Sequence, residues 1–482
     1  MSDGKQNISK ARLFIENFLI YGVGGVISKI IPLIMVPIIT RIMPNSTYFG
    51  ISDMSQTIIS FAGAIAVIGM YDAMYRMFFE KDDDKYKKIV CSTTLIFTLI
   101  MSVVVFSLLI IFRKWVAKVF FKNSDLSYVV YLSAIATLVS ATNQIISAPT
   151  RMQNKRKVYL VTNTVSPILS YAISVPLLLK GYYIVALPLA GVVSGITMEL
   201  SFYILNRKWF KFSLYDSKLL LQMLKIAIPL FPNFLIYWVF NSCDKIMVTN
   251  ILSVGAEGIY SVGSKLGHAS QLIYTAFAGG WQFFAFSTMK DKNQVQTNSM
   301  IFEYLGVVSF VATAFICAWS FGIYKLLFVG EYIEGFIIAP YLFLAPLLQM
   351  LFQVACNQFI VIKKTWPNMF ILLSGAILNV FLNLVLIPEV GIEGAAIATL
   401  VGYIVSDIIA MIVLCKMRLM SISKRFILIS IFMIIFFIIW RMIATQNIIL
   451  GTSMAFIISL ICIFMYRKEL FQICKRIRKL RG

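Results

Sequence analysis

The chain has 482 residues, of which 60% are hydrophobic and only 13% are charged, and its formal net charge is +22. Soluble domains contain roughly 45–50% apolar and about 25% charged residues, so this composition excludes a soluble globular protein. Nucleic-acid binding is also disfavoured. The basic residues are spread along short polar loops between long apolar segments, which is the arrangement that orients a membrane protein.

Apolar segments of about 18 residues or more recur along the chain, and each is long enough to cross a hydrocarbon layer of ~30 Å as a helix. Backbone groups cannot stay unpaired in lipid, so the predicted fold class is all-α, a polytopic membrane protein with about 14 transmembrane helices. The approximate centres of these spans are Ile30, Ala64, Met101, Leu138, Leu169, Val193, Ile236, Leu272, Ala312, Leu348, Leu378, Val401, Phe432 and Ile457. The loops between them are too short to hold an enzyme domain, and we expect no enzymatic activity.

Lysine and arginine residues predict the orientation of the spans. With an even number of spans both termini share one side, and the loops on that side carry roughly four times as many Lys and Arg residues as the loops opposite. Both termini are therefore predicted to lie in the cytoplasm. The basic tail after Tyr466 indicates either contact with the anionic inner leaflet or a simple stop-transfer anchor.

The chain also contains a weak internal repeat. Thr40 and Gly50 match Thr249 and Gly258, and residues 177–193 match residues 386–402, always at an offset of about 209 residues. Six spans separate the matching segments, so the repeat predicts two pseudo-symmetric six-helix lobes, at residues 1–212 and 213–422. Residues 423–482 then form two extra spans and the basic cytoplasmic tail. Two such lobes typically enclose a central cavity that opens to alternate sides of the membrane, an arrangement typical of transport.

Three lysines, Lys29, Lys245 and Lys265, fall inside spans rather than in loops. A buried unpaired lysine costs about 2.5–3.5 kcal/mol on insertion scales, so such residues usually face a cavity or a partner. Lys29 lies near mid-membrane and is the strongest candidate for a substrate contact. For Lys245, pairing with the adjacent Asp244 or reaching towards the outer surface competes with that role. Lys265 and His268 share one helix face, and packing is an alternative for His268.

Further charged residues stand near the ends of spans. Arg41 ends the first span outside, where substrate release competes with interface anchoring. Asp72 and Arg76, at i and i+4, predict a structural ion pair or an inner gate. Candidates for coupling to H⁺ or Na⁺ are Asp53, Glu199 and Asp407. No nucleotide-binding loop occurs and the chain has a single histidine, so neither a cofactor nor a His-based metal site is expected.

Several segments resemble a known family. The most specific is "NLVLIPEVGIEGAAIATLVGYIVSDII" (383–409), which is similar to the span-eleven to span-twelve signature of bacterial polysaccharide (O-antigen or capsule) repeat-unit flippases. The segments "DKIMVTNILSVGAEGIYSVGSKLG" (244–267), "NFLIYGVGGVISKIIPLIMVPIITRIMPNSTYFG" (17–50) and "GMYDAMYRMFFE" (69–80) resemble other parts of the same family. The family belongs to the multidrug/oligosaccharidyl-lipid/polysaccharide exporter (MOP) superfamily.

This resemblance implies a fourteen-span flippase of the bacterial inner membrane. Its substrate would be an undecaprenyl-pyrophosphate-linked oligosaccharide, moved by alternating access through a cationic central cavity. The expected substrate contacts are Lys29, Arg41, Lys245, Lys265 and His268, and the expected gating or ion-coupling residues are Asp53, Asp72, Arg76, Glu199, Asp244 and Asp407. Expected partners are the lipid-linked oligosaccharide, membrane lipids and the polysaccharide polymerase machinery, with no nucleic acid and with the chain as a monomer. Alternatives are a cation-coupled multidrug exporter or a lipid II flippase, while a membrane glycan polymerase is disfavoured because no long outer loop could hold its catalytic groups.

Overall fold

The computed structural model describes residues 30–289, 291–362, 364, 366–469 and 471, and these residues form helices and turns without any β-strand. The first part contains α1 (Ile30–Ile42), α2 (Ser46–Val67), α3 (Met70–Phe78), α4 (Asp84–Ile111), α5 (Arg113–Phe121), α6 (Ser127–Met152), α7 (Arg156–Leu179), α8 (Ala186–Asn206) and α9 (Ser217–Ile251). The second part contains α10 (Val254–Gly267), α11 (Gln271–Ser287), α12 (Gln294–Leu327), α13 (Ala339–Val361), α14 (Trp366–Val390), α15 (Ile392–Lys416), α16 (Lys424–Ile439) and α17 (Ile448–Met465). The all-α fold is therefore confirmed.

Eleven helices of the described residues are long and apolar enough to cross a membrane, or twelve when α2 and α3 count as one bent span. Every predicted span centre lies in a helix. Two predicted spans are not among those twelve. The first is described only from Ile30, where α1 begins, and the eighth is divided into α10 and α11 by a 3₁₀ turn at His268–Ser270. The count of about 14 spans stays a prediction.

Local sequence explains where the helices start and bend. Asn45, Asp83 and Asp216 each precede a helix, and their side chains accept backbone N–H groups of the first turn. Such caps satisfy donors that have no partner within the helix. Between α2 and α3, Ile68 and Gly69 both have positive φ values, 45° and 70°, so the helix cannot continue and the two segments meet at a 47° bend.

The chain forms two compact units. Unit 1 comprises Met1–Ser261 and Asn383–Ile392, and unit 2 comprises Val262–Leu382 and Glu393–Gly482. The predicted lobes were drawn from the internal repeat rather than from contacts, and their boundaries stay a prediction.

Within unit 1, α6 packs against α2, α4 and α8, and α7 packs along α8. The connection between α8 and α9 is fixed to α4 by two hydroxyl side chains. Ser92 Oγ accepts the N–H of Lys211 at 2.9 Å, and Thr93 Oγ1 accepts the N–H of Asp216 at 3.1 Å. These bonds hold the start of α9 in place.

Two glycines allow α2 and α10 to touch through their backbones. A Cβ atom on Gly50 would overlap the carbonyl oxygen of Val254, and one on Gly258 would overlap that of Ser46. Small residues permit this close approach between helices in a membrane. Gly50 and Gly258 are also one of the pairs that the internal repeat matches.

In unit 2 a buried carboxylate joins the last two helices to α12. Glu303 of α12 accepts the N–H of Ser423 at 2.7 Å, the hydroxyl of Ser423 at 2.8 Å and the hydroxyl of Tyr466 at 2.8 Å. Ser423 caps α16 and Tyr466 follows α17. The two C-terminal helices are thus fastened at one point.

Candidate functional site

A buried charge network lies where α2, α9 and α10 meet in unit 1. The Nζ atom of Lys245 in α9 is 2.7 Å from Oδ2 of Asp53 in α2. The side chain of Asp53 is 5% exposed and that of Lys245 is 18% exposed, so the ion pair is largely shielded from solvent. A buried pair of this kind requires good geometry and further polar contacts to offset the loss of hydration.

Those further contacts come from three neighbours. One carboxylate oxygen of Asp244 accepts a hydrogen bond from the hydroxyl group of Tyr260 in α10. Its other oxygen accepts a hydrogen bond from the backbone N–H of Lys245 at 2.9 Å. Glu257 of α10 is fully buried, and its charge and that of Asp244 both act on Lys245. We call Asp53, Asp244, Lys245, Glu257 and Tyr260 the charge network. It contains three carboxyl groups and one amine.

The sequence suggested Asp244 as the pairing partner of Lys245, whereas the structure pairs the amine with Asp53, which is 192 residues away. Successive residues of an α-helix point about 100° apart, so neighbours along the chain do not face each other. Asp244 is directed towards Tyr260 instead. A contact between Lys245 and the substrate stays a prediction.

The charge network can perform two kinds of exchange. The amine of Lys245 can leave Asp53 for an anionic group of a substrate, or the carboxylates can replace the amine with a proton or a metal cation. Either exchange would loosen α2 from α9, because the ion pair is a direct link between the side chains of these two helices. By the predicted topology the network lies near the outer ends of its helices.

The other predicted substrate contacts in the described residues lie on or beside α1 and α10. Arg41 is exposed near the end of α1, and Lys265 and His268 are half-buried on either side of the end of α10. Lys29 lies outside the described residues. The substrate-binding roles of these four residues stay predictions.

Of the remaining candidates, Asp72 and Arg76 are both exposed on α3, and within the described residues they form no ion pair with each other. The predicted structural pair is therefore absent, in keeping with the small energy of exposed i, i+4 pairs, about 0.3–0.5 kcal/mol. A gating role stays a prediction.

Two further carboxylates were predicted to couple transport to H⁺ or Na⁺, and their surroundings differ. Glu199 of α8 is half-buried and accepts the hydroxyl of Thr142 at 2.6 Å. Asp407 of α15 is 5% exposed, and neither of its carboxyl oxygens accepts a hydrogen bond from the described part of the chain. An ionised carboxylate is costly in such a place, so binding of a proton or a cation is the chemistry expected of it. Its coupling role stays a prediction.

Sequence reasoning missed several residues of these clusters. Glu257 and Tyr260 belong to the charge network, and in unit 2 the buried Glu393 accepts Arg441 Nε at 2.7 Å and the hydroxyl of Tyr341 at 2.9 Å. The available signal was a glutamate inside a predicted span or directly at its start, which applies to both Glu257 and Glu393.

A family model described as "Polysaccharide biosynthesis protein" matches residues 14–289, more than half of the chain. None of the curated proteins matches the chain by sequence. Among solved structures, the chain is similar to the lipid II flippase MurJ in an inward closed conformation, with a TM-score of 0.72 and 15% identity over 94% of this chain and 100% of that one. It is also similar to an inward-facing multidrug resistance MATE family transporter of the MOP superfamily, with a TM-score of 0.58 and 14% identity over 82% and 98% of the two chains. A third similar structure is MATE in complex with MaL6, with a TM-score of 0.60 and 12% identity over 84% and 95%. At these identities the structural similarity shows the fold.

Proposed function

Since the chain belongs to the family of polysaccharide biosynthesis proteins, we propose that it moves undecaprenyl-pyrophosphate-linked oligosaccharide repeat units across the bacterial inner membrane for surface polysaccharide biosynthesis. The observation that carries this proposal is the family match over residues 14–289. The MOP-type fold supports it, because that fold is shared with a lipid II flippase and with MATE transporters. Neither similar protein is described as an enzyme.

The substrate has two chemically different parts, an oligosaccharide and a pyrophosphate. The chain offers polar groups for the first and cations for the second. Its pyrophosphate needs cations, and we assign this role to Lys29, Arg41 and Lys265, with His268 as a further polar contact. Lys245 is paired with Asp53 in the described structure, so it would reach the pyrophosphate only after that pair opens. We therefore assign the Asp53–Lys245 pair the role of a latch near the outer ends of α2 and α9, which opens as substrate leaves.

Energy for transport has two candidate sources. The anionic substrate moving outward under an inside-negative potential gains about 2.3 kcal/mol per charge per 100 mV. Alternatively, H⁺ or Na⁺ entry is coupled through Glu199, Asp407 or Asp53. The buried position of Asp407, whose oxygens accept no hydrogen bond from the described residues, supports the second route.

The test is deletion of the gene, followed by mass spectrometry of the membrane lipids. We expect loss of one surface polysaccharide, intact peptidoglycan, and accumulation of a lipid-linked repeat unit whose mass identifies its sugars. Lys29→Ala should fail to restore export although it reaches the membrane, and Lys29→Arg should restore part of it. A lethal deletion with lipid II accumulation would instead identify a lipid II flippase, and drug sensitivity with normal glycans would identify a multidrug exporter.

A further inference from the structure

Unit 1 contains a second polar region, separate from the charge network, between α6, α7 and α8. It is a cavity of about 460 Å³, within the ~300–1,000 Å³ range of pockets that hold small molecules. We call this cavity the polar pocket. It exists because α7 packs along α8 but makes little contact with α6. By the predicted topology it extends from the cytoplasmic ends of these helices, near the loop that joins α6 to α7, to Gly191 in the outer half of α8.

The lining of the polar pocket is unusual for membrane-spanning helices. Most of its side chains carry amide or hydroxyl groups, among them Asn143 and Ser147 of α6 and Thr162, Asn163 and Ser166 of α7. Polar residues are costly in a span unless they face water, a partner or a ligand. None of the lining residues is acidic, so the pocket has no group to balance a cationic drug.

One acceptor atom of the lining has no donor within the described part of the chain. The side-chain oxygen of Asn143 is buried, and it accepts no hydrogen bond from the described residues. A buried acceptor without a partner is disfavoured, because most buried polar atoms in native proteins are bonded to protein groups or to ordered water. The hydroxyl groups of a sugar are suitable donors for it.

The cytoplasmic end of the polar pocket supplies aromatic rings and one cation. Arg151 donates to the hydroxyl of Tyr71 at 3.1 Å, and its guanidinium lies 5.3 Å from the ring centre of Tyr159. Tyrosine rings can pack against the flat C–H faces of sugars, and a guanidinium has five N–H donors, more than one hydroxyl uses. Arg151 can therefore bind an anionic group while it stays in contact with Tyr71.

Together these observations carry one assignment, which rests on the proposed function. We propose that the polar pocket is a glycan subsite that binds sugar residues of the lipid-linked repeat unit as it enters from the cytoplasmic side. Asn143 accepts a sugar hydroxyl, Tyr71 and Tyr159 pack against sugar faces, and Arg151 binds an anionic group of the same molecule. That group is either the pyrophosphate or an acidic sugar.

The test measures binding to purified full-length protein with two probes. One is the lipid-linked repeat unit extracted from the deletion strain, and the other is undecaprenyl pyrophosphate, which has the same lipid and pyrophosphate without sugar. Asn143→Leu removes the unsatisfied oxygen, and Gly191→Leu fills space, since a Cβ on Gly191 meets no atom within 4 Å. Thr197→Leu is the control, because Thr197 lies on α8 like Gly191 but is exposed and does not line the pocket.

We expect wild type and the control to bind the repeat-unit lipid more tightly than undecaprenyl pyrophosphate. Both pocket variants should weaken binding of the repeat-unit lipid by about tenfold, the effect of losing one or two good contacts, without changing binding of undecaprenyl pyrophosphate. If both variants bind the repeat-unit lipid as wild type does, the glycan subsite is wrong while the proposed function stands. If wild type itself does not bind that lipid, the proposed function and the subsite both fail.

Arg151→Gln identifies the anionic group. Weaker binding of both probes would support contact with the pyrophosphate, and weaker binding of the repeat-unit lipid alone would support contact with an acidic sugar. Unchanged binding of both probes would overturn the assignment of Arg151.

Discussion

Unit 1 contains two polar regions that differ in how their groups are satisfied. In the charge network, ionic side chains bond to one another, and α2 and α10 touch at Gly50 and Gly258. In the polar pocket the lining is nearly uncharged, α6 makes little contact with α7, and the side-chain oxygen of Asn143 accepts no hydrogen bond from the described residues. The groups of the charge network bond to one another, whereas the polar pocket contains a hydrogen-bond acceptor that no described residue uses.

This difference separates structural from ligand-binding roles. A charged group that is already paired must lose its partner before it binds anything else, so the charge network is suited to a latch that opens at one stage of transport. Amide and hydroxyl groups around an open space can bind a neutral molecule without breaking any existing link. The comparison therefore assigns sugar recognition to the polar pocket and conformational control to the charge network.

The largest expected effect comes from removing one partner of the buried pair. Lys245→Ala removes the amine that Asp53 binds, and breaking a buried pair in this way costs about 3–5 kcal/mol. We expect this variant to have a much lower melting temperature in detergent than wild type. The double variant Asp53→Leu/Lys245→Met, which removes both charges, should recover part of the lost melting temperature. Asn143→Leu in the polar pocket is the contrasting variant and should leave stability unchanged. Equal stability of Lys245→Ala and wild type would show that the pair is not a structural link.

A smaller effect is expected from one substitution made in both regions. Gly50→Ala places a Cβ against the carbonyl oxygen of Val254, and overpacking of this kind costs about 1–3 kcal/mol. Gly191→Ala meets open space and should be neutral or stabilising by up to about 1 kcal/mol, because alanine favours helices over glycine. Thermal unfolding of both variants checks this. Equal destabilisation by both would contradict the contrast between a closed and an open region.

The smallest effect is expected at a more exposed ion pair, which serves as a reference for Asp53–Lys245. Arg425 and Glu469 are 2.6 Å apart, with side chains 35% and 25% exposed. Partial burial opposes ionisation of Glu469, but the hydrogen bond and charge of Arg425 lower its pKa below the usual value. The pair therefore stabilises the fold above the unfolded-state pKa of about 4.3, and this contribution is lost as pH falls below it.

Glu469→Gln should cost at most about 1 kcal/mol at pH 7, and the difference from wild type should vanish towards pH 3. Melting temperatures measured between these two values test this prediction. A cost at pH 7 as large as that of Lys245→Ala would mean that burial does not distinguish the two pairs.

The helical architecture was predictable because apolar length alone determines what can cross a membrane. Every predicted centre lies in a helix for that reason. The division of the eighth span at His268 was not predicted, because polar residues such as Lys265, His268 and Gln271 do not by themselves end a helix.

The partners of charged residues were less predictable than their presence. A lysine inside a span indicates a functional or structural site, but its partner depends on which helices meet. The partner of Lys245 is Asp53, which lies in a helix early in the chain. The polar pocket was missed for a different reason. Asn143 and Asn163 lie among other uncharged polar residues, which carry no charge signal, and only the limited contact between α6 and α7 shows that they line a cavity.

The most direct test of the account is transport by the purified protein. Vesicles are prepared with the extracted lipid-linked repeat unit in both leaflets, and a membrane-impermeant oxidant is added outside to modify exposed sugars. Without protein only the outer-leaflet share should react. With wild-type protein we predict that the inner-leaflet share also becomes reactive, and that Asn143→Leu slows this phase. The same reactive share with and without the protein would contradict the proposal that this chain moves lipid-linked oligosaccharides.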